Sequence, residues 1–127
     1  PGMLARRREI IGRYNEALRG CGVRVLEHYG ENHESSGHLY LTRLSGRDES
    51  FRNGVIERMA EREIACNVHY KPLPMMTAYK NLGFDIKDYP NAYNQYRNEI
   101  TLPLHTCLTD EQVEYVIENF KEIINGD

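Results

Sequence analysis

The 127 residues contain no uninterrupted apolar run approaching the roughly 20 residues that a helical membrane span needs. The opening residues do not read as a charged, then apolar, then small-residue export leader, so a soluble cytoplasmic protein is the expectation. Positive charge is not in excess: the net charge is −3, which gives no global field to attract nucleic acid. The basic run Arg6-Arg7-Arg8 lies between Leu4 and Ile10-Ile11 and reads as the wet face of a helix rather than a phosphate grip. Cysteine is sparse. Cys21, Cys66 and Cys107 are odd in number and widely spaced, which excludes a disulfide framework and predicts reduced thiols.

Several chemistries are missing with equal clarity. Zinc sites draw on clustered cysteine and histidine; His28, His33 and His38 are spaced five apart, and Cys66 with His69 has no second pair. Ser35-Ser36-Gly37 lacks the glycine-framed elbow that exposes a catalytic serine. Gly20-Cys21-Gly22 lacks the later glycine and the following helix of a dinucleotide loop. There is no internal repeat, low-complexity tract or linker to split the chain, so residues 1–127 are expected to form one domain.

What is present is a balanced globular composition, 40% apolar and 28% charged. A chain of this size buries roughly two-thirds of the surface its unfolded form exposes, which supports a modest core. Leu4, Ile11, Tyr14 and Leu18 draw one stripe on an opening helix that Gly20 and Gly22 end. Val23 to Leu26 reads as a short strand, residues 31–37 as a polar loop, and residues 38–42 as a strand in the middle of a sheet. After a turn at Gly46 to Asp48, a helix follows with Phe51, Val55, Ile56 and Met59 inward. Residues 64–70 are extended, and Pro72 and Pro74 interrupt regular structure. Short helices are expected over 75–82 and 91–97, and a last strand at Ile100 to Leu102. Thr109 with Gln112 makes a capping box for a terminal helix whose inner face is Val113, Val116, Ile117, Phe120 and Ile124. This order predicts an α+β two-layer sandwich, a small sheet with helices on one face.

The stretch Asn67 to Pro74 is the one candidate site. It sets an imidazole, a phenol and an ammonium in succession at His69, Tyr70 and Lys71, stiffened by two prolines. In a strand, His69 and Tyr70 would diverge unless the prolines bend the chain. From the residues alone the segment is either a ligand-presenting element or a proline-bounded turn with Tyr70 in the core. The whole chain is correspondingly an enzyme part, a stand-alone ligand-binding or regulatory module with ferredoxin-like packing, or a structural interaction domain.

His38-Leu39-Tyr40, Arg43, a helix, Ile64 leading to His69-Tyr70 and its prolines, Ile100-Thr101-Leu102-Pro103-Leu104, and Thr109 to Gln112 form an ordered series. With the opening helix from Arg6 to Leu18, this series resembles the C-terminal part of the DegT/DnrJ/EryC1/StrS family of sugar aminotransferases, over essentially the whole chain. The resemblance implies the small C-terminal domain of the fold type I aminotransferases. It also implies a homodimeric parent enzyme that uses pyridoxal phosphate to move an amino group, usually from glutamate, onto a keto group of a nucleotide-linked sugar. Such enzymes serve cell-surface polysaccharide or modified-sugar biosynthesis. The cofactor and its lysine belong to the larger domain, and none of Lys71, Lys80, Lys87 and Lys121 lies in a matching context. The fragment is therefore expected to bind no cofactor or metal and to be inactive alone. The start Pro1-Gly2-Met3 fits a piece of a longer protein. His69 and Tyr70, with Lys71 beside them, are carried over as substrate-binding residues.

Overall fold

The computed structural model describes residues 2–126. Helix α1 (Gly2–Leu18) leads through positive-φ glycines at 20 and 22 into strand β1 (Val23–Val25). A two-residue hairpin, β2 (Tyr29–Gly30) with β3 (His33–Glu34), precedes β4 (Tyr40–Leu44) and helix α2 (Glu49–Glu61). Short helices α3 (Thr77–Asn81) and α4 (Pro90–Tyr96) come next, then β5 (Glu99–Leu102) and helix α5 (Asp110–Asn125). The sheet is antiparallel with order β1-β4-β5. The expected α+β sandwich and the central place of the middle strand both hold.

Alternation along the strands gives the sheet two chemically different faces. Tyr40, Thr42 and Leu44 of β4, with Ile100 and Leu102 of β5, face the helices. They share one core with Ile10, Ile11, Tyr14 and Leu18 of α1, Val55 and Met59 of α2, and the apolar stripe of α5. All five residues expected on the inner side of α5 are buried, joined by Ile123. Both hydrogen bonds of the Thr109–Gln112 capping box are made, at 3.1 and 3.0 Å. Of the α2 stripe, Val55 and Met59 are fully buried, while Phe51 and Ile56 pack at the core's margin.

Four local expectations are corrected. The arginine run is not a wet face: Arg6 donates to Leu108 O at 2.6 Å and pairs with Asp110, while Arg7 donates to Gly37 O at 2.9 Å. Arg8 pairs with Glu34 and lies over the Tyr29 ring. Consecutive helical residues point 100° apart, so three in a row reach three different neighbours. Leu4 is exposed, because these arginine contacts, and not apolar ones, hold the first turns of α1; the buried stripe begins at Ile10. Residues 31–37 are not all loop, since His33 and Glu34 pair back on Tyr29 and Gly30. His38 lies before the strand, exposed, because the ladder with β5 starts at Tyr40 opposite Leu102.

His28 sits under this hairpin, 6% exposed, with its ring stacked on Tyr40 at 5.8 Å. Its Nδ1 meets Ser35 Oγ at 3.0 Å, and its Nε2 is buried without a partner. Burial lowers its pKa below the ordinary 6.5, so the unfolded chain takes up a proton more readily than the fold does. This contribution to stability is complete above 6.5 and is lost as the pH falls below it toward the folded-state value. Urea midpoints taken about one pH unit either side of that value are expected to fall on acidification. His28→Phe, which keeps a ring on Tyr40 but cannot titrate, should fall less; an equal fall in both proteins would remove His28 as the cause.

The three thiols are free, as expected. Burial pushes the Cys66 thiol up to about 12, which leaves it unreactive in the fold.

Candidate functional site

The outer face of the sheet carries the site. Glu99 and Thr101 are two apart on β5 and so share the face opposite Ile100 and Leu102, beside Arg43 and Leu41 of β4. They would be solvated on a bare sheet, yet Glu99 is 1% and Thr101 6% exposed. The cover is the extended segment after α2, which enters along β5 by a bridge between Asn67 and Thr101. Arg43 ties down the far side, donating to Asn98 Oδ1 at 3.2 Å and to Asn94 O at 2.7 Å.

Beyond Asn67 the ladder stops, so strand alternation no longer governs side-chain direction. His69 and Tyr70 do not diverge: their rings meet edge to face with centroids 4.6 Å apart, across a cis peptide bond. His69 Nδ1 lies 2.8 Å from Thr101 Oγ1, and that hydroxyl donates to Glu99 Oε1 at 2.6 Å. Glu99 Oε2 accepts the backbone N–H of His69 at 2.8 Å. One carboxylate thus holds the main chain and, through Thr101, the side chain of the same histidine. Tyr70 is not core; it is 70% exposed, and Lys71 beside it is exposed too. Pro72 opens a single 3-10 turn over Leu73–Met75 that carries the chain away from the sheet.

Behind the site, Arg52 of α2 is 1% exposed. Its Nη1 donates to Tyr96 O at 3.0 Å and Glu99 O at 3.3 Å, its Nε to Asn53 Oδ1 at 2.7 Å, and its guanidinium lies over the Tyr96 ring. Burial raises the Glu99 pKa above the ordinary carboxylate value; the Thr101 and His69 hydrogen bonds and the charges of His69 and Arg52 oppose that rise.

The structure therefore joins His69 and Tyr70 and leaves Lys71 in solvent. It adds Glu99, Thr101 and Arg52, which the sequence reading passed over. The signal available for the first two was a Glu-x-Thr spacing, which places both on one strand face. For Arg52 there was none, because a lone arginine in a helical pattern reads as surface.

The family profile of the DegT/DnrJ/EryC1/StrS aminotransferases matches residues 1–121. Among curated relatives, the spore coat polysaccharide biosynthesis protein SpsC of Bacillus subtilis is 30% identical over 98% of this chain and 33% of its own length. The dTDP-4-dehydro-2,3,6-trideoxy-D-glucose 4-aminotransferase of Saccharopolyspora spinosa is 31% identical over 98% of this chain and 31% of its own. Spr1654 of Streptococcus pneumoniae, described as a sugar aminotransferase and solved in PMP, apo and PLP forms, superposes with a TM-score of 0.97. It is 52% identical over 99% of this chain and 32% of its own. The chain thus spans about a third of the length of the relatives it matches. With a profile match over nearly every residue and the same fold in solved members, the chain belongs to the DegT/DnrJ/EryC1/StrS aminotransferase family.

Proposed function

We propose that this chain is the small C-terminal domain of a pyridoxal-phosphate-dependent enzyme that moves an amino group, with glutamate as donor, onto a keto group of a nucleotide-linked sugar. The observation that carries this reading is the superposition of nearly the whole chain on a third of an aminotransferase that has been solved with its cofactor. The complete protein would act as a cytoplasmic homodimer, as the family resemblance implies.

The residues of this chain do not themselves fit a pyridoxal phosphate site. Attachment of the cofactor needs a lysine set in a pocket, but Lys71, Lys80 and Lys87 are exposed and Lys121 is half-buried at the surface of α5. None of the four forms an ion pair with a carboxylate among the described residues. The covalent steps belong to the rest of the protein. The part assigned here is recognition: His69 and Tyr70 contact the nucleotide sugar, and the Lys71 ammonium meets a phosphate or carboxylate.

In the complete enzyme, His69→Ala is expected to raise KM for the nucleotide sugar about tenfold, roughly the loss of one hydrogen bond at 1.4 kcal/mol. Cofactor absorbance and KM for the amino donor should not change. A sugar KM equal to the parent's would remove His69 from the binding surface.

A further inference from the structure

Glu99 and Thr101 do more than fill the outer face of β5. A threonine hydroxyl has one proton and can serve two neighbours only by donating to one and accepting from the other. Thr101 Oγ1 is 2.6 Å from Glu99 Oε1 and 2.8 Å from His69 Nδ1. Glu99 receives a donor at each oxygen, the Thr101 hydroxyl at Oε1 and the His69 N–H at Oε2, which is the pattern of a carboxylate acting as acceptor only. The hydroxyl proton then points to Glu99, and the oxygen faces His69 as an acceptor. The nitrogen opposite it must carry the hydrogen, since the tautomer of an imidazole follows the bond its inner nitrogen makes.

We propose that Glu99 and Thr101 are positioning residues whose relay fixes neutral His69 with its proton on Nδ1, leaving Nε2 to accept a hydrogen bond from a ligand hydroxyl. This rests on the reading of His69 as a substrate contact. It makes His69 a reader of a sugar hydroxyl and turns it away from phosphate or carboxylate, because a nitrogen lone pair repels an anion. Those groups are left to Lys71.

Nitrogen NMR of the imidazoles in the 127-residue chain, at a pH where histidine is neutral, reads the tautomer directly. His69 is expected to show a protonated Nδ1 and a bare Nε2. Thr101→Val should shift it toward the Nε2-protonated form that free imidazole side chains favour, and Thr101→Ser, which restores the hydroxyl, should bring it back. Amide spectra confirm that each variant is folded. In the complete enzyme, Thr101→Val is expected to raise the sugar KM about as much as His69→Ala, roughly tenfold, with no further rise in the double variant. A proton on Nε2 in the parent chain overturns the relay, whatever the kinetics. The expected tautomer with an unchanged KM in Thr101→Val would instead keep the relay and refute its role in binding; an unchanged KM in His69→Ala as well would refute the substrate contact.

Discussion

Replacing Arg52 with alanine is expected to lower stability by about 3–5 kcal/mol, the range found when one partner of a buried charged network is removed. The guanidinium is enclosed and gives hydrogen bonds to the Tyr96 and Glu99 carbonyls and to Asn53, with Glu49 3.7 Å from its other arm. Alanine leaves those carbonyls without a donor, and each unmade bond to a buried group costs about 1–3 kcal/mol. The melting temperature should drop by more than about 10 °C. Arg52→Lys is expected to recover little, because an ammonium cannot span the two carbonyls and stack on Tyr96 at once. A loss under about 1 kcal/mol would mean that water takes over both carbonyls. Because Arg52 anchors the main chain where β5 begins, the same variant should also loosen Glu99 and disturb the His69 tautomer.

Phe120→Ala should cost about as much for a different reason. The ring is 0% exposed on the middle of α5, where the helix lies against both α1 and α2. Truncation of a buried phenylalanine removes its transfer free energy and leaves a cavity, about 3–5 kcal/mol together. For a domain of marginal stability this brings a large part of the population to the unfolded state at ordinary temperature. Glu118→Ala, two residues away on the wet face of the same helix, is expected to stay within about 0.5 kcal/mol of the parent. Guanidinium titration of both variants gives the comparison; similar midpoints would mean that the core can collapse around the missing ring.

The two variants also mark what could be read from the residues alone. Phe120 was legible because the α5 pattern is local: an apolar repeat at helical spacing behind a Thr109–Gln112 cap needs no knowledge of the rest of the chain. The Tyr40–Leu102 pairing was not, since it joins residues far apart in sequence and its register depends on the finished sheet. The arginine run was misread for a related reason. Composition gave it a solvated role, while Arg6 and Arg7 find backbone carbonyls that the fold brings from Leu108 and Gly37. At the site, His69 and Tyr70 stood out by residue type. Glu99 and Thr101 did not, because what makes them unusual is burial on a face that only the covering segment from Asn67 to Tyr70 encloses.

The division of β5 into a core side and a recognition side sets a rule for length variation. Residues 70–97 include none of the buried residues of the fold, so insertions and deletions there are tolerable in number. Inside β5 they are not. One residue added or removed between Glu99 and Thr101 changes the parity of the strand, turning a charged or hydroxyl side chain toward Phe120 and an isoleucine toward His69. Two residues would restore it. Divergence of this chain can therefore be sought as loop length between Lys71 and Tyr96, and as substitution, never as single-residue indels, from Glu99 to Leu102.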